Sequence, residues 1–375
     1  MLVFGSLSLL GLVAIWLGYP LVVRVLASVR RVDSAPGEMA PGAAPTVSVI
    51  IASHDEAAPI NARIDDVLRS YYPADRIEVL VALDAALARA TVEELRRADA
   101  RVTFLVGDAP GGKASSLNAA ARMARNEILV FTDTAQQFEP AAISELVRQF
   151  RDPRTGAVSG MLELGRSGRL LNVAERYWLY ERWLRRWEAR LHSTVGVTGA
   201  VYAMRRSLWQ DLPAGLILDD LYGPMRLVLQ GWRIGFTERA LAHDARRFSA
   251  TDEYRRKVRT LTGVIQTTVW LDGVMNPRRN PIWFQFVFHK LLRFLTPYLT
   301  AFVAVAAAWT LAQTILAVPN GTLVLSGGAA VSVLACLIPR VRRVVRAQMA
   351  WALALQSSIV VATFNGVRGK WNVWN

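Results

Sequence analysis

Three of four short apolar runs in the first third of the chain are followed by acidic residues, and the fourth by a lysine. Val47–Ile51 leads into Ser53-His54-Asp55-Glu56, Ile77–Leu83 into Asp84 and Glu127–Phe131 into Asp133. Val102–Val106 leads into a glycine-rich turn that ends at Lys113. Carboxylates gathered in one place suit a divalent cation and the hydroxyls of a nucleotide, and an ammonium suits a phosphate. Further along, Leu218-Asp219-Asp220 opens a helical period over 220–230. An acid there can take the proton of a hydroxyl, and it can also cap the helix start. One competing motif fails on its details. Gly107 to Lys113 spells the phosphate-cradling G-x-x-x-x-G-K, but Ala114 stands where a magnesium-binding hydroxyl belongs, and Pro110 removes one of the loop's N–H groups.

These residues need elements that bring them together. The apolar runs alternate with helical periods at 59–70, 91–98 and 113–126. Such alternation predicts βαβ units and an α/β fold with a mostly parallel sheet, whose ligands bind beyond the carboxyl ends of the strands. That rule turns four separate loops into one candidate site. Another helix is predicted over 172–191, with Trp178, Trp183 and Trp187 among its charges. Aromatics at that spacing read first as core and second as a surface for an acceptor or a membrane.

Elsewhere the chain is written for lipid. Its 375 residues are 53% hydrophobic and 20% charged, with mean hydropathy +0.24. This excludes disorder as the main state and asks for one part in a membrane and another in water. Residues 1–23 carry no charged side chain, nor do 294–339 or 347–367, and Val318-Pro319-Asn320-Gly321 breaks the second stretch in two. Four transmembrane helices are expected, the first an uncleaved anchor. The net charge of +14 gathers at the edges of these runs, in Arg24, Arg30 and Arg31, in Arg278 and Arg279, and in Arg340, Arg342, Arg343 and Arg346. Arginines so placed mark cytoplasmic loops and put residues 24–293 in the cytoplasm. Residues 278–293 mix aromatics with bases, as a helix lying in the membrane interface does. No zinc-finger spacing or RNA-binding motif is present, so nucleic acid is not an expected partner. The single cysteine, Cys336, excludes an internal disulfide and a thiolate metal cluster.

Taken in this order, the motifs resemble those of a membrane-integrated family-two glycosyltransferase, the group of the cellulose, hyaluronan and chitin synthases and many bacterial exopolysaccharide enzymes. The likeness runs from residue 45 to residue 370, anchors included. Val47-Ser48-Val49-Ile50-Ile51 with Asp55-Glu56 is similar to the family's first strand and its Asn-Glu turn. Asp84 falls where the family keeps an acid against the uracil and ribose of the donor, although Ala85-Ala86-Leu87-Ala88 replaces the usual Gly-Ser-Thr-Asp tail. Gly112-Lys113 and Leu117-Asn118 look like the Gly-Lys…Leu-Asn stretch beside the donor. Phe131-Thr132-Asp133-Thr134-Ala135 occupies the place of the D-x-D, with Ala135 instead of the second acid. Val197-Thr198-Gly199-Ala200-Val201-Tyr202-Ala203-Met204-Arg205-Arg206 resembles the small-residue strand that floors the acceptor site. Leu218-Asp219-Asp220 stands where the family writes Thr-Glu-Asp, whose last acid is the base. Arg256-Lys257-Val258-Arg259-Thr260 lies where processive members carry Gln-x-x-Arg-Trp, so Arg259 is kept and the acceptor-stacking tryptophan is Thr260.

The resemblance implies a GT-A, Rossmann-like catalytic domain over 46–277. An N-terminal anchor (1–23) and a basic Pro/Gly/Ala linker (24–45) precede it. An interfacial helix (278–293) and a C-terminal membrane region of three spans (294–375) follow. The implied place is a bacterial inner membrane, multi-pass, with the catalytic domain cytoplasmic and in contact with membrane lipids. The implied reaction is an inverting transfer from a nucleotide-sugar donor, a UDP-sugar, to a growing polysaccharide or lipid-linked acceptor. Asp220 is then the base and Asp219 its orienting neighbour, with Asp133 holding Mg2+ or Mn2+. Glu56, Asp84, Lys113, Asn118, Gly199 and Arg259 surround the substrates. Thr260 favours a lipid-linked monosaccharide transferase over a polymer synthase, and Ala135 leaves open a scaffold subunit that binds nucleotide without turnover. An export partner or an oligomer enters if a polymer must cross, because four spans hardly enclose a wide channel.

Overall fold

The computed structural model describes residues 1–29, 44–95, 99–164, 173–246, 250–317 and 338–373. The chain divides into two compact units. One comprises Val23–Arg247 with Gln266–Phe286, and the other Met1–Val22, Phe248–Ile265 and Val287–Asn375. In chain order the principal helices are α1 (Leu2–Val29), α2 (Ala57–Leu68), α3 (Lys113–Met123), α4 (Ala142–Arg148), α5 (Val173–Leu191), α6 (Asp219–Leu229), α7 (Ala250–Trp270), α8 (Trp283–Leu316) and α9 (Pro339–Val367).

The first unit is built on a sheet. Strands β1 (Val47–Ser53), β2 (Ile77–Leu83), β3 (Val102–Val106), β4 (Ile128–Thr132), β5 (Gln137–Phe138), β6 (Thr155–Leu164), β7 (Tyr202–Arg205) and β8 (Arg233–Asp244) align in the order β3-β2-β1-β4-β7-β6-β8-β5. The first four are mutually parallel. Both faces of these strands are covered, and they therefore read as unbroken apolar runs. Val47, Val49, Ile50 and Ile51 of β1 are all fully buried. On one face Ile60, Ile64 and Val67 of α2 join Ile143 and Leu146 of α4 in a single core with the sheet.

The second half departs from the mostly parallel expectation. β7 pairs antiparallel with both β4 and β6, and β5 antiparallel with β8, so the sheet is mixed. Helices still separate the strands from β5 to β8, but β7 enters between β4 and β6 and runs against both, while β6 and β8 remain parallel neighbours. The helix expected over 91–98 does not form in its described part, where 92–95 are turns. Reciprocal bonds close a single turn there: the Thr91 N–H donates to Glu94 Oε2 (2.9 Å) and the Glu94 N–H to Thr91 Oγ1 (3.3 Å).

The second unit is helical. Leu2–Val29 and Trp283–Leu316 are, among the described residues, the two helices long and apolar enough to cross a membrane. Small residues let them approach closely. A Cβ on Gly5 would stand 2.4 Å from the Ala306 Cβ, and one on Gly11 3.2 Å from Leu299 Cδ1. The Trp16 indole N–H donates to Thr296 Oγ1 at 3.2 Å. Of the other two expected spans, 322–337 lies outside the described residues, and 347–367 forms the later part of α9. A separate interfacial helix over 278–293 is not observed. Asn280 Oδ1 accepts the Ile282 N–H (3.0 Å) while its amide donates to the Val274 carbonyl (2.7 Å). These bonds keep the segment before Trp283 in turns, and α8 then runs on through a π turn (Val287–Leu291) and a 3-10 turn (Leu292–Leu295).

Candidate active site

The turn after β3 aims the lysine. Gly111 and Gly112 lie at φ +97° and +92°, a conformation that side chains resist. The Gly112 N–H donates to Asp84 Oδ2 at 2.7 Å. A Cβ on Gly111 would stand 2.8 Å from Asp84 Oδ1, which already accepts the N–H groups of Ala86 (2.8 Å) and Leu87 (3.0 Å). Asp84 is thus a buried clamp between the loops after β2 and β3, with both oxygens on backbone. The same bonds dispose of a phosphate-cradling loop, because the Gly111 N–H also goes inward, to the Asp108 carbonyl (2.9 Å).

Lys113 is the first residue of α3, where a helix dipole disfavours a cation. Carboxylates compensate. Its Nζ lies 3.0 Å from Asp133 Oδ1 at the end of β4 and 3.5 Å from Asp219 Oδ1 at the start of α6. Burial pulls its pKa down, but the facing Asp133, Asp219 and Asp220 pull it up further, leaving it above the ordinary lysine value. The ammonium is therefore permanent, and it gathers acids from two distant parts of the sequence, Asp133 and the pair Asp219-Asp220.

A missing N–H places the fourth component. Pro224 inside α6 cannot donate to the carbonyl four residues earlier, which is that of Asp220. That carbonyl accepts the Val197 N–H instead, at 2.8 Å. The bond docks loop 196–199 on the helix start. Gly199 lies so close that a Cβ there would meet Asp220 Oδ2 at 3.1 Å. Residues 197–201, expected to belong to a strand, form a turn closed by the Val201 N–H on the Thr198 carbonyl (2.9 Å), and the strand begins only at Tyr202. Gln266 braces the approach to the acids, accepting the Ile217 N–H (2.8 Å) and donating to the Gly215 carbonyl (3.0 Å). Asp219 is buried, and its Oδ2 has no hydrogen-bond partner among the described residues. A buried carboxylate oxygen left in that state is costly unless a ligand supplies the donor.

Beneath the acids lies an aromatic stack. Phe131 of β4 faces Tyr202 of β7 at 4.4 Å between ring centroids and Trp209 at 5.3 Å. Burial pushes the Tyr202 phenol far above its ordinary pKa, helped by Asp219, Asp220 and Asp133, so the floor is uncharged.

Sequence reasoning missed a second layer of contacts around Asp133. The Thr134 hydroxyl donates to Asp55, which also accepts from Ser53 Oγ (3.3 Å). Asp244, 1% exposed at the end of β8, accepts from Gln136 Nε2 (2.9 Å) and pairs with Arg246 (2.7 Å). Arg63, also buried, donates to Thr132 Oγ1 (2.8 Å) and pairs with Asp66. The repeated spelling Asp-x-Arg was an available signal, since Asp99/Arg101 and Asp152/Arg154 close the same local pair.

Of the expected site residues, Lys113, Asp133, Asp219, Asp220 and Gly199 come together. Asp84 touches the cluster through the Gly112 N–H. Asn118 is buried and committed to Leu212, accepting its N–H (2.8 Å) and donating to its carbonyl (2.9 Å). Glu56 is solvent-exposed at the start of α2. Arg259 lies on the part of α7 that belongs to the other unit. For a divalent ion the fit is narrow. Among the described residues no three ligating side chains form a group. Asp133, 39% exposed, is the carboxylate open to a cation that arrives with its own phosphate oxygens.

Comparison with known proteins gives the family and the fold. The family described as "Glycosyltransferase like family 2" matches residues 44–263. The "Probable glycosyltransferase YdaM" of Bacillus subtilis (strain 168) is 25% identical over an alignment of 214 residues that covers 52% of this chain and 50% of that protein, so the match spans half of the relative's length. Among solved structures, the mannosyltransferase PcManGT from Pyrobaculum calidifontis, in complex with GDP-Man and Mn2+, superposes with a TM-score of 0.69 at 21% identity, over 98% of this chain and 99% of that one. That likeness is one of fold. The chain belongs to glycosyltransferase family 2, and residues 44–263 form its glycosyltransferase domain.

Proposed function

We propose that the protein moves a sugar from a nucleotide-sugar donor to an acceptor hydroxyl at a membrane, in one displacement with inversion. The observation that carries this reading is the Lys113 ammonium bridging Asp133 and Asp219 at the carboxyl ends of the strands. Asp220 accepts the acceptor proton as the oxygen attacks the anomeric carbon, and Asp219 orients it. The nucleoside diphosphate leaves against Lys113, a fixed cation aimed where charge develops. A Mg2+ or Mn2+ ion carried in by the donor diphosphate would rest on Asp133 and add to that neutralisation. No second carboxylate is marked as a covalent nucleophile, which is why the product anomer should be inverted.

A membrane setting is supported by α1 and α8, which leave Leu2, Phe4, Leu10, Phe302 and Leu311 more than half exposed. Such surfaces suit lipid. The acceptor is then lipid-linked or a growing polysaccharide, with the sheet unit on the cytoplasmic side, as the arginine distribution implies. Thr260 in place of the stacking tryptophan favours transfer of a single sugar. The test is a donor screen on membranes holding the full chain, with UDP- and GDP-sugars in parallel, GDP-mannose included because the structural neighbour binds it. Nucleoside diphosphate release and the product anomer by proton NMR are the readouts. One inverted sugar in the lipid phase supports the reading, and a ladder of products supports a polymer synthase. No release from any donor would leave a nucleotide-binding scaffold.

A further inference from the structure

We propose that Arg246 is a donor-binding residue whose guanidinium takes the terminal phosphate of the nucleoside diphosphate beside Asp133. The proposal rests on the sugar-transfer reading above and adds a residue outside the motifs that carry the family resemblance.

The first support is how firmly the guanidinium is held. Its Nη2 and Nε donate to the two oxygens of Asp244 at 2.7 and 3.0 Å, and its backbone N–H returns to Oδ1 at 3.0 Å. Asp244 is 1% exposed and is held from behind by the buried Gln136. An arginine that merely decorates a surface gains little from an ion pair and needs no such backing. Here a carboxylate is sunk into the protein to fix a side chain that is itself 50% exposed. That is the pattern of a positioned cation, with Asp244 and Gln136 as its positioning residues.

The second support is where it is held. Gln136 follows Asp133 by three residues, and β5 pairs with β8 at Gln137 opposite His243. The end of β8 is thereby tied to the turn that carries the single metal-type acid. After the hydrogen bond with Asp244, the charges of Asp133 and Asp55 are among the groups that favour the Arg246 cation.

The third support is chemical need. A diphosphate leaving group brings several negative charges, and Ala135 removes the carboxylate that would help recruit a compensating ion. Lys113 supplies a point charge on one side of Asp133. A guanidinium adds phosphate contacts in a fixed geometry that a lysine does not provide.

The experiment is a binding titration of the full chain in detergent with UDP, GDP, UMP and GMP, repeated for Arg246→Gln, Arg246→Lys and Asp244→Asn, with thermal melting as the check on folding. Arg246→Gln should weaken nucleoside diphosphates about tenfold or more, as loss of a charge-assisted phosphate contact does, and leave monophosphates within about twofold. Arg246→Lys should recover part of that loss, and Asp244→Asn should lose less than Arg246→Gln. Equal weakening of mono- and diphosphates, or none, with the wild type binding normally, would overturn the assignment of Arg246 while sparing sugar transfer. A wild-type chain that binds no nucleoside diphosphate would overturn both.

Discussion

Gly199 offers the sharpest perturbation of the proposed base. A Cβ at this position would lie 3.1 Å from Asp220 Oδ2 and 3.4 Å from the Asp220 Cβ. Gly199 is not among the glycines with positive φ, so alanine costs no backbone strain there. The methyl displaces the Asp220 carboxylate by a few tenths of an ångström and does little else. Misplacing a catalytic group by 1 Å costs about 100-fold, so Gly199→Ala should lower kcat about three- to tenfold. Gly199→Val, with two more methyls against the same carboxylate, should lower it about 30-fold or more on the same scale. The donor KM should change little, because Lys113 and Asp133 are untouched. The assay is steady-state release of nucleoside diphosphate on the donor identified by screening, with melting temperature measured in parallel. A Gly199→Val enzyme with wild-type kcat would refute the placement of Asp220 at the reacting hydroxyl. So would a loss confined to donor KM.

Arg63, lowered to about 10 by burial against the pull of Asp66 and Asp133, should be structural. Arg63→Met strands the Asp66 carboxylate and should cost about 3–5 kcal/mol in chemical denaturation, where a loss below about 1 kcal/mol would contradict this. Lys113 has the opposite sign. Its folded-state pKa is raised, so its stabilisation is complete below the unfolded value of 10.5 and is lost only as pH climbs through the higher folded value. Neither melting temperature nor kcat should therefore show a Lys113 step between about pH 6 and 9, and a basic limb there that vanished in Lys113→Met would count against the cluster. With one open carboxylate, Mn2+ should bind weakly alone and tightly with a nucleoside diphosphate, read as loss of the free Mn2+ signal in electron paramagnetic resonance. Asp133→Asn should abolish the nucleotide-dependent part, and tight binding without nucleotide would contradict the single-ligand reading.

The parallel half of the sheet was legible because each of its strands is buried on both faces and reads as a continuous apolar run. The rule that ligands bind beyond the carboxyl ends of such strands points to the loops after β1 to β4, and Lys113 and Asp133 from two of them meet Asp219 and Asp220. What one sequence withholds is the use made of a residue. Asp84 and Asn118 carry side chains suited to a donor, yet each is committed to backbone groups that residue type does not reveal. The bond from Gln136 to Asp244 spans 108 residues, and no periodicity encodes it. The docking of loop 196–199 follows from one absent N–H at Pro224, legible only once α6 is known to begin at Asp219. The mixed half of the sheet escaped because helices go on separating the strands from β5 to β8, and that alternation does not tell that β7 lies antiparallel between β4 and β6. The aromatic and basic pattern of 278–293 fits both a surface helix and the entry to a span, and in the structure the part from Trp283 runs on into α8.

The central claim is that Asp220 is the base in a donor site built around Lys113 and Asp133. Its most direct test is Asp220→Asn in the full chain, with nucleoside diphosphate affinity and single-turnover sugar transfer measured on the same preparation. Affinity should stay within about threefold of wild type while transfer falls by about 100-fold or more, the loss expected of a removed general base. An Asp220→Asn chain that transfers sugar at a rate near that of the wild type would contradict the account.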